Sequence, residues 1–120
     1  MRIIVSGSRD FTDYTFFKNL LDSFLKTLPV EKSEITFLHG DCRGTDKMAE
    51  LYAKQNNCAC IAFPADWEKY GQSAGPIRNN QMLNEGVDYL VAFTTNRSRG
   101  TKDIIAKAAK KGIKTKIFIV

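Results

Sequence analysis

The feature that most constrains the fold is a regular alternation of short apolar runs with helical patterns. Five runs have the length and apolar content of buried strands: residues 2–6, 35–38, 58–63, 87–93 and 113–120. Between them, apolar residues recur three and four positions apart, which is the spacing of an amphipathic helix. This alternation predicts an α/β fold: a single Rossmann-like three-layer domain over residues 1–120, with helices on both faces of a five-stranded, mainly parallel sheet.

Start and stop residues divide the predicted helical part into four main helices. They are bounded by Thr12 or Asp13 and Pro29, by Thr45 and Asn56, by Pro76 and Gly86, and by Thr101 and Gly112. Right-handed crossovers favour the strand order 3-2-1-4-5, and the lysines of the last run indicate an edge strand. In such sheets ligands bind beyond the carboxyl ends of the strands, where the winding reverses between the first and fourth.

Composition limits the class of protein. A chain of 120 residues, 43% of them hydrophobic, suits one domain with a real core. No apolar run approaches the roughly 18 residues that a membrane span needs, so we expect no membrane partner. The run at residues 1–5 passes directly into a glycine turn and is too short for the apolar region of a signal peptide. We therefore expect a cytoplasmic protein.

The three cysteines match neither a disulfide framework nor a zinc site. Cys58 and Cys60 alternate along an apolar run, which favours buried thiols. Cys42 lies in a glycine loop before a helix, where the pKa of a thiol can be lowered. We expect no metal and no resident cofactor.

The segment from His39 to Asp46 reads His-Gly-Asp-Cys-Arg-Gly-Thr-Asp and joins the second strand to the second helix. A helix start leaves backbone N–H groups unpaired and carries partial positive charge, so it attracts anions. Gly40 and Gly44 would let the backbone approach a ligand that a Cβ would block. Thr45 and Asp46 fit an anion site and fit ordinary helix caps equally well.

Three other polar loops follow strands and therefore meet this segment at one edge of the sheet. Gly7-Ser8-Arg9 offers a guanidinium for a phosphate, or for Asp10 or Asp13 nearby. Gly100 and Thr101 place a glycine and a hydroxyl at a helix start, as Gly44 and Thr45 do. The long loop 64–75 has the length typical of a functional loop. We expect a ligand site where these loops converge.

Single side chains suggest what the site binds. Trp67, the only tryptophan, would stack on a base or would anchor its loop. Asp66 would accept from a base edge or a ribose hydroxyl. Arg78, with Asn79 beside it, is the group we most expect to touch a phosphate. His39, the only histidine, is a general base or a hydrogen-bonded end of a strand.

Net charge is +5, and much of the excess lies near the C-terminal end. Residues 97–116 carry two arginines and six lysines against one aspartate, Asp103. This stretch would attract phosphates or nucleic acid, and a solvated helix face beside a lysine-protected edge strand explains it equally well.

Taken together, these motifs resemble the YspA/YpsA-related branch of the SLOG superfamily. The resemblance rests on Gly7-Ser8-Arg9, His39-Gly40-x-x-x-Gly44-x-Asp46, Pro64-Ala65-Asp66-Trp67, Gly71-x-x-Ala74-Gly75-x-x-Arg78-Asn79-x-x-Met82 and Gly100-Thr101. It covers nearly the whole chain. It implies a Rossmann-like domain that binds nucleotides or nucleotide-derived ligands, in a superfamily whose members often pair into homo-oligomers.

The superfamily also contains the LOG phosphoribohydrolases, which cleave nucleoside monophosphates at the N-glycosidic bond. Arg78, Met82, Asp88 and Gly100-Thr101 follow the order of their pattern. At the place of their glutamate this chain has Ile104, with Asp103 beside it. Arg97, Ser98 and Arg99 replace their double glycine. A carboxylate is what would stabilise an oxocarbenium-like centre or activate water.

Three hypotheses follow from these observations. The first is a small protein that binds a nucleotide or a signal such as ADP-ribose or a cyclic nucleotide, as a sensor or as a sponge resembling small phage-encoded relatives. The second is an N-glycosidic hydrolase or transferase, with Asp66, Glu68 or His39 as the catalytic group. The third is binding of single-stranded nucleic acid through the basic C-terminal face, since the DNA-processing DprA/Smf family is related. Few aromatic residues interleave with those lysines, which favours the first hypothesis over the third.

Overall fold

A computed structural model describes residues 1–95 and 97–120 of the chain. Asn96, part of the predicted loop before the last helix, lies outside the described residues. The strands are β1 (Arg2–Gly7), β2 (Thr36–His39), β3 (Ala59–Ala62), β4 (Tyr89–Thr94) and β5 (Lys114–Ile119). The helices are α1 (Tyr14–Leu25), α2 (Thr45–Gln55), the single-turn α3 (Trp67–Tyr70), α4 (Ala74–Leu83) and α5 (Arg99–Lys110).

The strands form one sheet in the order β3-β2-β1-β4-β5, and every neighbouring pair is parallel. This confirms the predicted three-layer α/β fold and strand order, including β5 at an edge. Neighbouring residues of one strand point to opposite faces of a sheet, so the two faces have separate cores. Ile3 and Val5 pack toward α1 and α2, whereas Ile4 packs toward α4 and α5.

Most predicted helix boundaries agree with the structure to within a few residues. Asp13 is the N-cap of α1, because its carboxylate accepts a hydrogen bond from the Phe16 N–H at 3.1 Å. Helix α4 begins at Ala74 and α5 at Arg99, each two residues before its predicted start. The predicted loop 64–75 contains α3 and one 3₁₀ turn. No helix of the described chain is both long and apolar enough to cross a bilayer.

The prediction of buried thiols is wrong. Cys60 is exposed on β3, and Cys58 is half-buried, with its Sγ 3.2 Å from the Lys32 carbonyl oxygen. The reason is the position of β3 at an edge of the sheet, where all four of its residues are exposed. An apolar run on an edge strand therefore looks like a buried strand in the sequence but is only partly covered.

Candidate ligand-binding site

A cavity of about 460 Å³ opens at the carboxyl ends of β1 and β4, where the winding of the sheet reverses. Most of the predicted ligand-binding residues line it: Gly7, Ser8, Arg9, Asp46, Trp67, Arg78, Asn79, Gly100 and Thr101. The others do not form part of its wall: His39, Gly40, Gly44, Thr45 and Asp66. The structure thus brings all four of the predicted loops and the start of α4 to one cavity, as the parallel sheet requires.

Three N–H groups of the β2–α2 loop (residues 40–44) and the donors of Thr45, which follows it, bond within the protein. Oδ2 of Asp46 accepts from the N–H of Gly40 at 3.0 Å and from the N–H of Cys42 at 3.2 Å. The N–H and the hydroxyl of Thr45 both donate to the Ser8 carbonyl oxygen, at 3.2 and 3.0 Å. These donors tie the loop to α2 and to the end of β1. They are therefore not directed at an anion.

The glycines of this loop make room for other parts of the protein. Gly44 has a φ of +77°, and a Cβ there would lie 2.5 Å from the backbone oxygen of Arg9. A Cβ on Gly40 would collide with the Arg78 guanidinium. We predicted that these glycines admit a ligand, but the groups that approach them are the neighbouring loop and Arg78. The segment 40–44 is packed against its surroundings on both sides.

Arg78 is buried at the base of the cavity and connects three segments. Its Nη1 donates to the Gly40 carbonyl oxygen, and its Nε donates to Oδ1 of Asn79 at 3.0 Å. Asn79 in turn donates from Nδ2 to Oδ2 of Asp103 at 3.0 Å, and the Lys107 ammonium lies 3.0 Å from the same oxygen. The chain of contacts runs from the β2–α2 loop through α4 to α5. Among the described residues nothing accepts from Nη2 of Arg78, so this nitrogen is left for the cavity.

Asp46 is a carboxylate on the cavity wall, and only 5% of its surface is exposed. Burial raises the pKa of Asp46 to about 6, since a charge is poorly solvated there, and the bonds from Cys42 and Gly40 and the charges of Arg78 and Arg9 partly oppose this rise. Near neutral pH the group is therefore mostly ionised. The site combines a buried anion with several cations.

His39 ends β2 outside the cavity and is 1% exposed. Its Nδ1 accepts from the Asp41 N–H at 3.0 Å, and its Nε2 lies 3.4 Å from Oε2 of Glu50. Burial lowers the pKa of His39, which keeps the ring neutral with its proton on Nε2. Both nitrogens are engaged, which fits a hydrogen-bonded end of a strand.

The group His39, Asp41 and Glu50 has metal-ligand chemistry, with ligand atoms within 4.8 Å of one another. The Lys47 ammonium already lies 2.6 Å from Oδ1 of Asp41 and 3.7 Å from Oε2 of Glu50. A metal on Nε2 would also require Nδ1 to give up its bond from the Asp41 N–H, because a neutral imidazole has only one free lone pair. We therefore interpret this group as a cluster of ion pairs.

Trp67 forms the aromatic part of the wall. It begins α3, is 50% exposed, and lies with its ring centre 5.9 Å from the Arg9 guanidinium carbon. The rim of the indole packs over Gly75. Asp66 instead caps α3, accepting from the Lys69 N–H at 3.1 Å, and neither Asp66 nor Glu68 lines the cavity.

The opposite wall is the start of α5 (residues 97–101). Ser98 closes the turn before the helix, since its Oγ accepts from the Thr95 N–H at 3.1 Å. Helix α5 has 12 residues, and its positively polarised N-terminus adjoins the cavity. Arg9, Arg97 and Arg99 form no ion pair with any described carboxylate. This wall carries free positive charge.

Several lining residues were not predicted as site residues: Ser6, Asp10, Cys42, Arg43, Gly75, Pro76, Arg97, Ser98, Arg99 and Asp103. We had assigned Arg97 and Arg99 to the basic C-terminal face. Their place after β4 was the signal that could have put them at the site. Asp103 lies four residues after Arg99, so the two share one face of α5.

Comparison with known proteins identifies the family of this chain. Residues 1–70 match the family model described as YspA, cpYpsA-related SLOG family. The Gene 61 protein of Mycobacterium phage D29 is 34% identical over 117 residues, which cover 93% of this chain and 91% of that protein. No solved structure matches. The chain belongs to the YspA, cpYpsA-related SLOG family, which confirms the resemblance found in the sequence.

Proposed function

We propose that this protein binds a nucleotide or a nucleotide-derived small molecule, such as ADP-ribose or a cyclic nucleotide, in the cavity between β1 and β4, as a sensor or a sponge. The observation that carries the proposal is the pairing of two unlike walls. Trp67 offers an exposed aromatic face, and the start of α5 offers unpaired arginines at a helix N-terminus. A nucleobase can stack on such an aromatic face, and a phosphate can bind to arginines at a helix N-terminus.

Electrostatics supports an anionic ligand. Of the arginines on the wall, Arg43 is paired with Asp10 at 3.6 Å, whereas Arg9, Arg97 and Arg99 are free of carboxylates in the described chain. Asp103 is offset by Lys107. A phosphate beside these arginines would form charge-assisted hydrogen bonds with planar guanidinium groups. The size of the cavity, about 460 Å³, falls within the range of small-molecule sites.

Intrinsic fluorescence tests the proposal, because Trp67 is the only tryptophan and lies on the cavity wall. We expect titration with 5′-nucleotides, ADP-ribose and cyclic nucleotides to change this fluorescence saturably for at least one ligand class. Arg99→Gln should weaken that binding. Arg2→Gln is the matched control, since it removes the same charge at the amino end of β1, whereas the cavity lies at its carboxyl end. A panel without any saturable change would contradict the proposal.

A second candidate function is N-glycosidic cleavage, and one observation favours it. Ile104, at the place of the LOG glutamate, is fully buried, but Asp103 lines the cavity from the same helix. Asp88, in contrast, bonds to the Arg2 N–H at the start of β4, away from the cavity. This candidate predicts that a nucleoside monophosphate releases its free base and that Asp103→Asn abolishes the release. Intact nucleotide by chromatography after long incubation would exclude it.

A further inference from the structure

Asp46 has one carboxylate oxygen that the protein does not use. Both backbone hydrogen bonds to the group end on Oδ2. Within residues 1–95 and 97–120 no donor bonds to Oδ1, and no fully buried side-chain oxygen or nitrogen lacks a partner. Since Asp46 lines the cavity, Oδ1 is the oxygen that a ligand can reach. An ionised carboxylate only accepts hydrogen bonds, so the ligand atom there must be a donor.

The contacts of Asp46 place it between the two walls. Arg9, whose charge acts on Asp46, also lies over Trp67. Arg78, whose charge also acts on Asp46, bonds to Asn79, whose Nδ2 lies 3.4 Å from the Gly100 carbonyl oxygen on α5. In a nucleotide the sugar lies between base and phosphate. With the base on Trp67 and the phosphate at α5, the sugar is the part that reaches Asp46.

The other acidic groups near the cavity are more exposed than Asp46 or lie outside the cavity wall, and the side chain of Asp103 is 31% exposed. Asp10 is paired with Arg43 and mostly exposed. Oδ2 of Asp103 accepts from Asn79 and contacts Lys107. Asp66, which we had predicted as the acceptor for a ribose hydroxyl, caps α3 outside the cavity. Asp46 alone combines burial, a place on the wall and an unused oxygen in the part of the chain that the structure describes.

We propose that Oδ1 of Asp46 accepts a hydrogen bond from a ribose hydroxyl and makes the cavity selective for ribonucleotides over 2′-deoxynucleotides. The proposal rests on the proposed function, since it requires a nucleotide in this cavity. Selectivity arises because a 2′-deoxy ligand leaves the buried, charged Oδ1 without a hydrogen-bond donor. Leaving a charged acceptor without its donor weakens binding more than leaving a neutral acceptor without one. Asp46 is then a specificity-determining residue.

Calorimetric titration of the full chain tests this proposal. The probes are the 5′-monophosphates and 5′-diphosphates of adenosine, guanosine, cytidine and uridine, each with its 2′-deoxy form. We expect the best ribonucleotide to bind roughly 10-fold or more tightly than its deoxy form. Asp46→Asn should reduce that ratio to within about 3-fold, because the amide oxygen can still accept from Gly40 and Cys42 while the charge toward the cavity is gone.

Asp41→Asn is the matched control. It makes the same chemical change in the β2–α2 loop, five residues before Asp46 and outside the cavity, at a position whose φ of +57° asparagine tolerates. It should keep the wild-type ratio. Equal affinities for ribo and deoxy ligands in the wild type would overturn the inference even if Asp46→Asn does not fold. If the affinity depended on the base and not on the sugar, the inference would be overturned, and an amine of the base would be the donor to Oδ1 instead. Absence of binding by every one of these probes would overturn the inference, whereas the proposed function fails only if ADP-ribose and the cyclic nucleotides of the fluorescence panel give no saturable change either.

Discussion

The β2–α2 loop and the start of α5 lie at the same edge of the sheet and look alike in sequence, since each has a Gly-Thr pair at a helix start. In the structure they differ. The N–H and the hydroxyl of Thr45 donate to the Ser8 carbonyl oxygen, and the N–H groups of Gly40 and Cys42 donate to Asp46. Residues 97–101 instead carry exposed arginines without carboxylate partners in the described chain. The first segment bonds mainly within the protein, and the second presents guanidinium groups without described carboxylate partners at the cavity wall.

From this difference we expect an anion site only at a helix N-terminus whose donors the protein does not use itself. The same local pattern, glycine followed by a hydroxyl residue, serves as an internal clamp where a neighbouring strand end supplies an acceptor. In this chain the acceptor is the Ser8 carbonyl oxygen. The comparison predicts that substitutions in the two segments separate into effects on stability and effects on binding.

Gly44→Ala should have the largest effect on stability. The residue has a φ of +77°, and its Cβ would meet backbone atoms of Arg9 and Ser8, which cannot move aside as a flexible side chain would. We expect the free energy of unfolding to fall by about 2–4 kcal/mol. Gly100→Ala is the counterpart at the other Gly-Thr pair, where a Cβ meets nothing within 4 Å.

Gly100→Ala should leave stability unchanged or raise it by up to about 1 kcal/mol, because alanine favours the helix. Urea unfolding of both variants measures the contrast. Equal losses of stability in the two variants would show that the segments do not differ as described.

Asp46→Asn should change how stability depends on pH. The pKa of Asp46 is raised in the folded protein to about 6, so folding favours its protonated form. The contribution of Asp46 to the free energy of unfolding is fully present below the pKa of the unfolded state, about 4. It is lost as the pH rises toward 6, and the loss is about 3 kcal/mol. The charges of Arg78 and Arg9 act on this carboxylate, and the N–H groups of Cys42 and Gly40 bond to it.

His39 acts in the opposite sense, because its lowered pKa makes folding less favourable as the pH falls below its unfolded value. Only the difference between variant and wild type therefore isolates Asp46. Between pH 4 and pH 7, we expect the free energy of unfolding of Asp46→Asn, measured with urea, to rise by roughly 2–3 kcal/mol relative to that of the wild type. A constant difference across this range would contradict a buried carboxylate at position 46.

Arg99→Gln should have the smallest effect on stability and act on binding alone. The side chain is exposed and has no carboxylate partner among the described residues, so unfolding should change by less than about 0.5 kcal/mol. Loss of one charge-assisted contact should weaken nucleotide binding about 3- to 10-fold. Equilibrium titration at low and moderate salt measures this. A destabilised variant with unchanged affinity would reverse the roles given to the two segments.

The fold was predictable because its signals are local. Apolar runs, helix caps such as Asp13 and the handedness of crossovers give the elements and their order. The convergence of the polar loops followed from the same topology. The prediction about Cys58 and Cys60 failed because burial depends on a strand's place in the sheet, and the predicted order 3-2-1-4-5 already put β3 at an edge.

Parts of the site could not be predicted because they depend on long-range contacts. Nothing in the sequence shows that Thr45 bonds to Ser8, or that Arg78 lies under Gly40. Whether Asp103 or Ile104 faces the cavity depends on the rotation of α5 about its axis. The predicted start of α5 was two residues too late, so the sequence could not give that rotation. Asp66 is a typical N-cap residue, so the sequence could have indicated the single-turn helix α3 that it caps.

The most direct test of the central claim is mapping of amide chemical shifts by NMR during titration of the full chain with ADP. We predict that the largest changes occur at Arg97–Thr101, at Arg9 and at the Trp67 indole N–H, with small changes at Gly44 and Thr45, which do not line the cavity. Changes confined to the lysines at the end of α5 and on β5 would favour the nucleic-acid hypothesis. Such a pattern, or no change at residues 97–101, would contradict the nucleotide site described above.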